Sequence, residues 1–365
     1  MAAIGRFGTR VVPELPQILQ ECRARKQLVQ GPYIERFEHE FARVLGSGHV
    51  RMCSTEYGRM ALYFILKSME FPPDSEIIVP AFTFWVVPEI ARVAGLKPVF
   101  ADIDPTTFTL SPQAVERAIT PRTRAILPTH LYGLSCDMDP ILDIARRHSL
   151  KVIEDCAQSH YAEWQGQRVG TFGDAATFSF YPGKNLGAYG DAGAVLTVDS
   201  DVARRVRLMR DHGSERKYEH DIVGWNSRLD TLQAIVLQAK LRRLARWNEA
   251  RRAAAARYDV LLAEVPHVRV PATMPGNVPV WHLYVVRVPE RDRVLAALQA
   301  AGIGASIHYP TPIHLTGAYR GLGYGPGSFP VAEAAAEEIL TLPLYPHITL
   351  AQQEHIAAEL DEALR

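Results

Sequence analysis

The chain is expected to fold as an α/β protein: a large domain with a mostly parallel sheet covered by helices on both faces, then a smaller C-terminal α/β domain. Three observations predict this. Short apolar runs of strand length alternate with amphipathic stretches of helical period from about residue 50 to residue 198. A long helical stretch follows, SRLDTLQAIVLQAKLRRLARWNEARRAAAARYDVLLAEV, with Leu232, Ile235, Leu237, Leu241 and Leu244 on one stripe. A proline-rich break, HVRVPATMPGNVPV, then precedes about 100 residues with strands and helices of their own. The expected domains are 1–255 and 256–365, with the N-terminal helices able to pack on the small one.

Composition narrows the function classes. The chain has 365 residues, 47% hydrophobic, with 40 basic and 40 acidic side chains, so its formal charge is zero. That balance argues against nucleic acid or an anionic membrane as the main partner. No apolar run reaches the roughly 18 residues of a membrane span, and the opening MAAIGRFGTRVVPEL has no apolar signal core. Cys22, Cys53, Cys136 and Cys156 show no metal-type spacing. They read as buried thiols of a reducing, cytoplasmic compartment, with no metal site.

In chain order, Leu15, Ile18, Leu19, Cys22 and Leu28 give residues from Pro13 to Gln30 a helical period, which Gly31-Pro32-Tyr33 breaks. Ile34, Phe37, Phe41 and Leu45 predict a second helix. Val50–Cys53 is a short strand. Ser54 and Thr55 resemble caps, and Gly58 lets the backbone turn tightly into the next helix. The exposed amides of such a helix start can hold an anion, or the residues can simply cap the helix. Strands follow at Glu76–Pro80, Pro98–Ile103 and Ala125–Gly133, with helices at Pro88–Gly95, Ser111–Ile119 and Met138–Ser149. In parallel sheets ligands sit at the carboxyl ends of the strands. Those ends carry Phe82-Thr83-Phe84-Trp85, then His130 and Tyr132, then Asp155. His130 reads as a structural histidine at a strand end. The polar residues His212–Asp221 read as a surface loop. In the small domain, strands are expected at Trp281–Val288 and Ala305–Pro310, and helices at Asp292–Ala301, Val331–Leu340 and Ala351–Leu364. Gly321–Ser328 is glycine-rich, but it lacks the strand-flanked spacing of a nucleotide cradle.

The segment Val152–Val198 carries the chemistry. Its first strand ends on Glu154 and Asp155, and the strand Ala175–Phe180 runs into Lys184 among Pro182, Gly183, Gly187, Gly190 and Gly193. An amine on such a turn could condense with an aldehyde cofactor, and an acid at a buried strand end could protonate a pyridine nitrogen. The same two residues also fit a strand-end turn acid and a solvated loop lysine, and spacing does not choose between these readings.

The string IEDCAQSHYA…GTFGDAATFSFYPGKNLGAYGDAGAV closely resembles the DegT/DnrJ/EryC1/StrS aminotransferases. GPYIERFEHEFARVLG, EIIVPAFTFW, LPTHLYGLSCDMDPI and IHYPTPIHLTGAYRGLGY resemble the family in the same order, so the likeness covers nearly the whole chain. It implies an aspartate-aminotransferase-like fold of type I with a seven-stranded-type sheet, and pyridoxal 5'-phosphate as cofactor. It implies Lys184 as the Schiff-base lysine, Asp155 as the partner of the pyridine nitrogen, and Gln158 at the cofactor ring. Ser179, Gly58 and Arg59 would hold the phosphate, and Phe84, with Trp85 as a rival, would stack on the ring. Asn226 would reach the cofactor of a second copy, which implies a homodimer with shared sites. Arg59 departs from the small hydroxyl residue usual in the family, and Trp225 from its usual tyrosine or phenylalanine.

The implied activity is transfer of an amino group from an amino acid, usually glutamate, to a keto sugar, most often linked to a nucleotide, by a ping-pong mechanism. Alternatives within the resemblance are a keto-cyclitol of an aminoglycoside-type pathway and a non-catalytic cofactor-binding regulator. Tyr309, His308, His314 and Tyr319 are the candidates for the acceptor pocket.

Overall fold

The computed structural model describes residues 15–365, except 27, 28, 30, 47–49 and 217. The opening stretch, and the helical expectation at Pro13, Leu28 and Gln30, lie outside the described residues. Helix α1 (Leu15–Arg25) and helix α2 (Pro32–Leu45) come first. Gly31, at φ 130°, makes the turn into α2, and Pro32 takes the first helical position.

Strands and helices then alternate: β1 (Arg51–Thr55), α3 (Gly58–Ser68), β2 (Glu76–Pro80), α4 (Val86–Val93), β3 (Lys97–Ala101), α5 (Pro112–Ala118), β4 (Thr123–Ile126), α6 (Met138–Arg147) and β5 (Lys151–Asp155). The short β6 (Glu163–Trp164) and β7 (Gln167–Arg168) precede β8 (Ala175–Ser179), β9 (Gly193–Thr197) and α7 (Ser200–Arg210). The stretch read as a surface loop carries a small hairpin, β10 (Ser214–Arg216) and β11 (Glu219–His220), and helix α8 (Thr231–Leu262) follows. The last elements are β12 (Asn277–Val278), β13 (Tyr284–Arg287), α9 (Arg291–Ala300), α10 (Pro330–Glu338), β14 (Ile339–Leu342) and α11 (Leu350–Leu364).

The main sheet has seven strands in the order β1-β9-β8-β5-β4-β2-β3. Only β9 runs against the rest, pairing antiparallel with β1 and β8. β2 and β9 are buried along their whole length, as expected of strands covered on both faces. β4 is shorter than expected because Pro128 has no N–H to donate. Thr129 rejoins the sheet through one bridge to Asp155. The expected strand at Ala305–Pro310 is likewise reduced to one bridge, Ser306 to Thr341, before Pro310 and Pro312.

Among the described residues, the N-terminal helices pack on β1 of the large sheet and on α8. Phe37 and Phe41 of α2 meet Phe178 and Phe180 edge-on at 5.1–5.5 Å, which buries the helix's apolar face against β8. Position 255 lies inside α8, a 32-residue helix that no Gly or Pro interrupts. Leu237, Leu241 and Leu244 join the core around Phe37, whereas Tyr258 and Leu262 join the core around Tyr284 and Leu360. The helix is thus shared by both cores. Among the described residues no helix is long and apolar enough to cross a membrane.

Candidate active site

Five strand ends open onto one cleft of about 680 Å³. Gly58 follows β1, Thr83 and Phe84 follow β2, Thr129 follows β4, and Asp155 and Ser179 end β5 and β8. In open sheets of this kind ligands bind at the carboxyl ends of the strands. Lys184, Gln158, His308 and Tyr309 line the same cleft.

Lys184 sits on a closed turn. Its N–H donates to the Tyr181 carbonyl (2.9 Å), and a Cβ on Gly187 would lie 2.4 Å from the Pro182 carbonyl oxygen. Burial lowers its amine to about 8, against the pull of Asp155 toward the charged form. Asp155 is buried, and burial raises its carboxyl above the usual value; the Ala157 amide, Lys184 and His130 oppose that shift. Its Oδ1 accepts from the Ala157 N–H (3.0 Å). Its main chain is pinned on both sides: its N–H donates to the Pro128 carbonyl (2.9 Å), and its carbonyl accepts from the His130 N–H (3.0 Å).

Glu154 points away from Asp155, as alternation along a strand requires. It accepts from the amides of Gly170 (2.6 Å), Phe172 (2.8 Å) and Gly173 (2.8 Å). His130 Nδ1 accepts from the Cys136 N–H (3.0 Å), so Nε2 carries the proton and donates to Glu154 (3.0 Å). His130 is therefore the structural histidine expected. Glu154→Ala would strand one buried and two half-buried amides, and we expect it to lower unfolding free energy by about 3–5 kcal/mol in a denaturant titration. Cys156 lies beside this cluster, and burial pushes its thiol up to about 12, which suits packing and not nucleophilic attack.

The expected phosphate residues meet at the start of α3. Tyr57, its N-cap, is extended and gives no side-chain cap. The Thr177 hydroxyl donates to the Gly58 carbonyl (3.1 Å), and a Cβ on Gly58 would lie 2.9 Å from Ser179 Cβ. Glycine thus lets the helix start touch β8 and brings its amides beside Ser179. Ser179 Oγ accepts only a long bond from the Tyr181 N–H (3.4 Å), so its own O–H is available to donate. Uncapped helix amides beside a hydroxyl suit a phosphate, and a buried amine and acid in the same cleft suit an aldehyde on a pyridine ring. The donor set fits pyridoxal phosphate. Gly58→Val should lower cofactor affinity at least about 10-fold through overpacking; equilibrium dialysis would check this.

Arg59 lines the cleft, but its guanidinium lies over Trp85 (5.1 Å) and pairs with Glu89 of α4 (3.4 Å). Trp85 is thereby engaged outside the cleft wall, and Phe84 lines the cleft with its ring 5.7 Å from that of Tyr309. Gln158 is fixed at both ends: Oε1 accepts from the Tyr132 N–H (2.7 Å) and Nε2 donates to the Tyr309 hydroxyl (3.1 Å).

Three expected site residues lie elsewhere. His314 pairs with Glu333 (3.0 Å) against the ring of Phe329 (4.8 Å). Tyr319 packs edge-on to Phe100 (5.5 Å) under the Arg92 guanidinium. Both are core residues and do not line the cleft, because a 3-10 turn at Ile313–Leu315 carries the chain away after Tyr309. Asn226 is exposed, beside Asp211, and does not line its own chain's cleft. Sequence reasoning missed Thr129, Thr177, Tyr181, Asp191 and His282 as lining residues. Proximity to strand ends and to the lysine turn could have indicated all but His282.

Residues 11–361 match the DegT/DnrJ/EryC1/StrS aminotransferase family. The chain is 45% identical over 318 residues to a dTDP-3-amino-3,4,6-trideoxy-alpha-D-glucose transaminase from Streptomyces venezuelae, covering 87% of this chain and 83% of that protein. It is 42% identical over 355 residues to a protein of Geobacillus stearothermophilus named pleiotropic regulatory protein, covering 97% and 95%. The fold matches the crystal structure of S. venezuelae DesV in complex with a ketimine intermediate, with TM-score 0.93, 41% identity, and coverage of 100% and 97%.

Proposed function

We infer the function of this chain from its family: it belongs to the DegT/DnrJ/EryC1/StrS aminotransferases, and it is a pyridoxal-phosphate-dependent aminotransferase. From that premise we propose that it moves an amino group from an amino acid, L-glutamate first, to a keto sugar carried on a nucleotide. The carrying observation is the pair of buried groups in the cleft, an amine lowered to about 8 at Lys184 and an acid at Asp155. The names of relatives that act on dTDP-linked and UDP-linked sugars support the acceptor class.

Pyridoxal phosphate, when bound, supplies an aldehyde that takes up amines and a ring that delocalises the charge left by a departing proton. The amides at the start of α3 and the Ser179 hydroxyl would hold its phosphate, and Phe84 would cover the ring face. Asp155 holds a proton at the ring nitrogen. Lys184 Nζ, an amine that burial lowers to about 8 and so makes a usable base near neutral pH, takes the proton from the donor's Cα and returns it in the reverse half-reaction. Both half-reactions use one site, so the kinetics should be ping-pong.

Asn226, exposed and outside its own cleft, suits contact with the cofactor phosphate of a second copy, which makes the working unit a homodimer. Four buried free thiols suit the cytoplasm. The name of the Geobacillus relative favours one second reading, a cofactor-binding regulator without turnover. An absorbance spectrum of the cofactor-loaded protein before and after L-glutamate separates the two. A visible band that moves to the amine form of the cofactor supports transamination, and a band that does not respond supports the regulator. A nucleotide keto sugar should then restore the first spectrum where a keto-cyclitol does not.

A further inference from the structure

Lys184 is followed by Asn185, a buried residue whose amide bonds are all directed. Asn248 Nδ2 donates to the His160 carbonyl (2.9 Å), which fixes that amide's orientation and turns Asn248 Oδ1 toward Asn185. Asn185 Nδ2 donates to Asn248 Oδ1 (3.0 Å) and to the Val280 carbonyl (2.9 Å). Two acceptors thus independently set the Asn185 amide, and its Oδ1 faces His282 Nδ1 at 3.2 Å. An amide oxygen only accepts, so His282 Nδ1 carries the ring proton and Nε2 holds a lone pair. The backbone of His282 is fixed as well: Arg251 donates to the carbonyls of Trp281 (2.9 Å) and His282 (3.3 Å). The ring lines the cleft that contains Lys184.

The geometry points to His282 as a positioning residue for Lys184: a ring held in one tautomer by Asn185, which leaves its Nε2 lone pair free to accept from the Lys184 amine of the same cleft as that amine swings toward it. This rests on the aminotransferase reading of the cleft. The ring stays neutral because it is buried and faces the cation Lys184, with Arg251, His160 and His308 also around it. The carboxylate that pulls the amine toward its charged form is Asp155. A neutral acceptor aims the lysine without repelling its charged form. Asp155 could not do this alone, because it is committed to the ring nitrogen when the cofactor is bound. Asn185 thus ties the segment Val280–His282 to the turn that carries Lys184.

Two variants separate this role from simple packing. His282→Asn keeps a donor near the Nδ1 position, and hence the bond to Asn185, but has nothing at Nε2. His282→Gln places an amide oxygen near Nε2. The Lys184 pKa is read in the cofactor-free full-length protein from the pH dependence of its reductive methylation, followed by peptide mass spectrometry. The expected result is a fall of about one unit in His282→Asn, since a bond to a charged group is lost, with His282→Gln near the parent. With cofactor, the acid limb of the glutamate half-reaction should move down in pH by a similar amount in His282→Asn. Equal Lys184 titrations in all three proteins would overturn the proposal. So would a ¹⁵N spectrum of the parent that places the ring proton on Nε2, which requires no variant to fold. Loss of the glutamate response in the parent would overturn the aminotransferase reading and leave the Lys184 titration to decide on His282.

Discussion

Replacing Lys184 by alanine is expected to lower the glutamate half-reaction at least about 10³-fold and to leave the chain folded. The rate falls because Lys184 is the one amine among the described residues that line the cleft. The fold survives because Lys184 Nζ is a desolvated charge, and its removal takes away an unfavourable burial. Linkage gives an independent check. The folded-state pKa, about 8, lies below the free-lysine value of 10.5, so the unfolded chain binds the extra proton over that interval. The parent therefore bears the full penalty below pH 8, and its stability rises relative to Lys184→Ala between pH 8 and 10.5. Denaturant midpoints across that range should converge from the acid side, with the variant ahead at neutral pH. A variant that keeps near-parent turnover, or a stability difference that does not change with pH, would remove Lys184 from the centre of the site.

The cleft floor was legible because it is built from strand ends, and a strand end is a local event. An apolar run that stops at Glu154-Asp155 and a small-residue strand that runs into Lys184 both mark where a sheet opens. Which of the two acids enters the cleft was not legible from period alone. That depends on the Gly170, Phe172 and Gly173 amides, which claim Glu154 from the other side of the strand. Tyr309 lines the cleft and His314 lies in the core, although they are close in the chain. One short turn separates a cleft residue from a core residue, and proline-flanked turns have no hydrophobic period to read. His282 was missed because its role depends on Asn185, 97 positions away. The domain boundary was read from the proline-rich segment, but α8 continues across both cores with an Ala-rich, glycine-free run that gives a helix no reason to stop.

Asp155→Asn is expected to separate stability from function. Asparagine keeps the shape and can still accept from the Ala157 N–H, but it cannot hold a formal negative charge. In the cofactor-free protein the buried carboxyl has a raised pKa, so its favourable contribution is present below the ordinary value of 3.8 and is lost as pH rises through the folded value. At neutral pH the carboxylate is therefore a burden on the empty fold, and the asparagine variant should be as stable as the parent or more stable. With cofactor the order reverses. A charged hydrogen bond to the ring nitrogen is worth about 1.5–3 kcal/mol, so affinity should fall by about 10- to 150-fold. The half-reaction should fall by a further 10² or more, because the ring nitrogen is no longer kept protonated. Two measurements test this: thermal midpoints without cofactor and glutamate half-reaction rates at saturating cofactor. If the variant loses stability and keeps its rate, Asp155 is a structural acid at a strand end. If it keeps stability and loses rate, the same burial that strains the empty fold is what makes the acid effective once a cation sits against it.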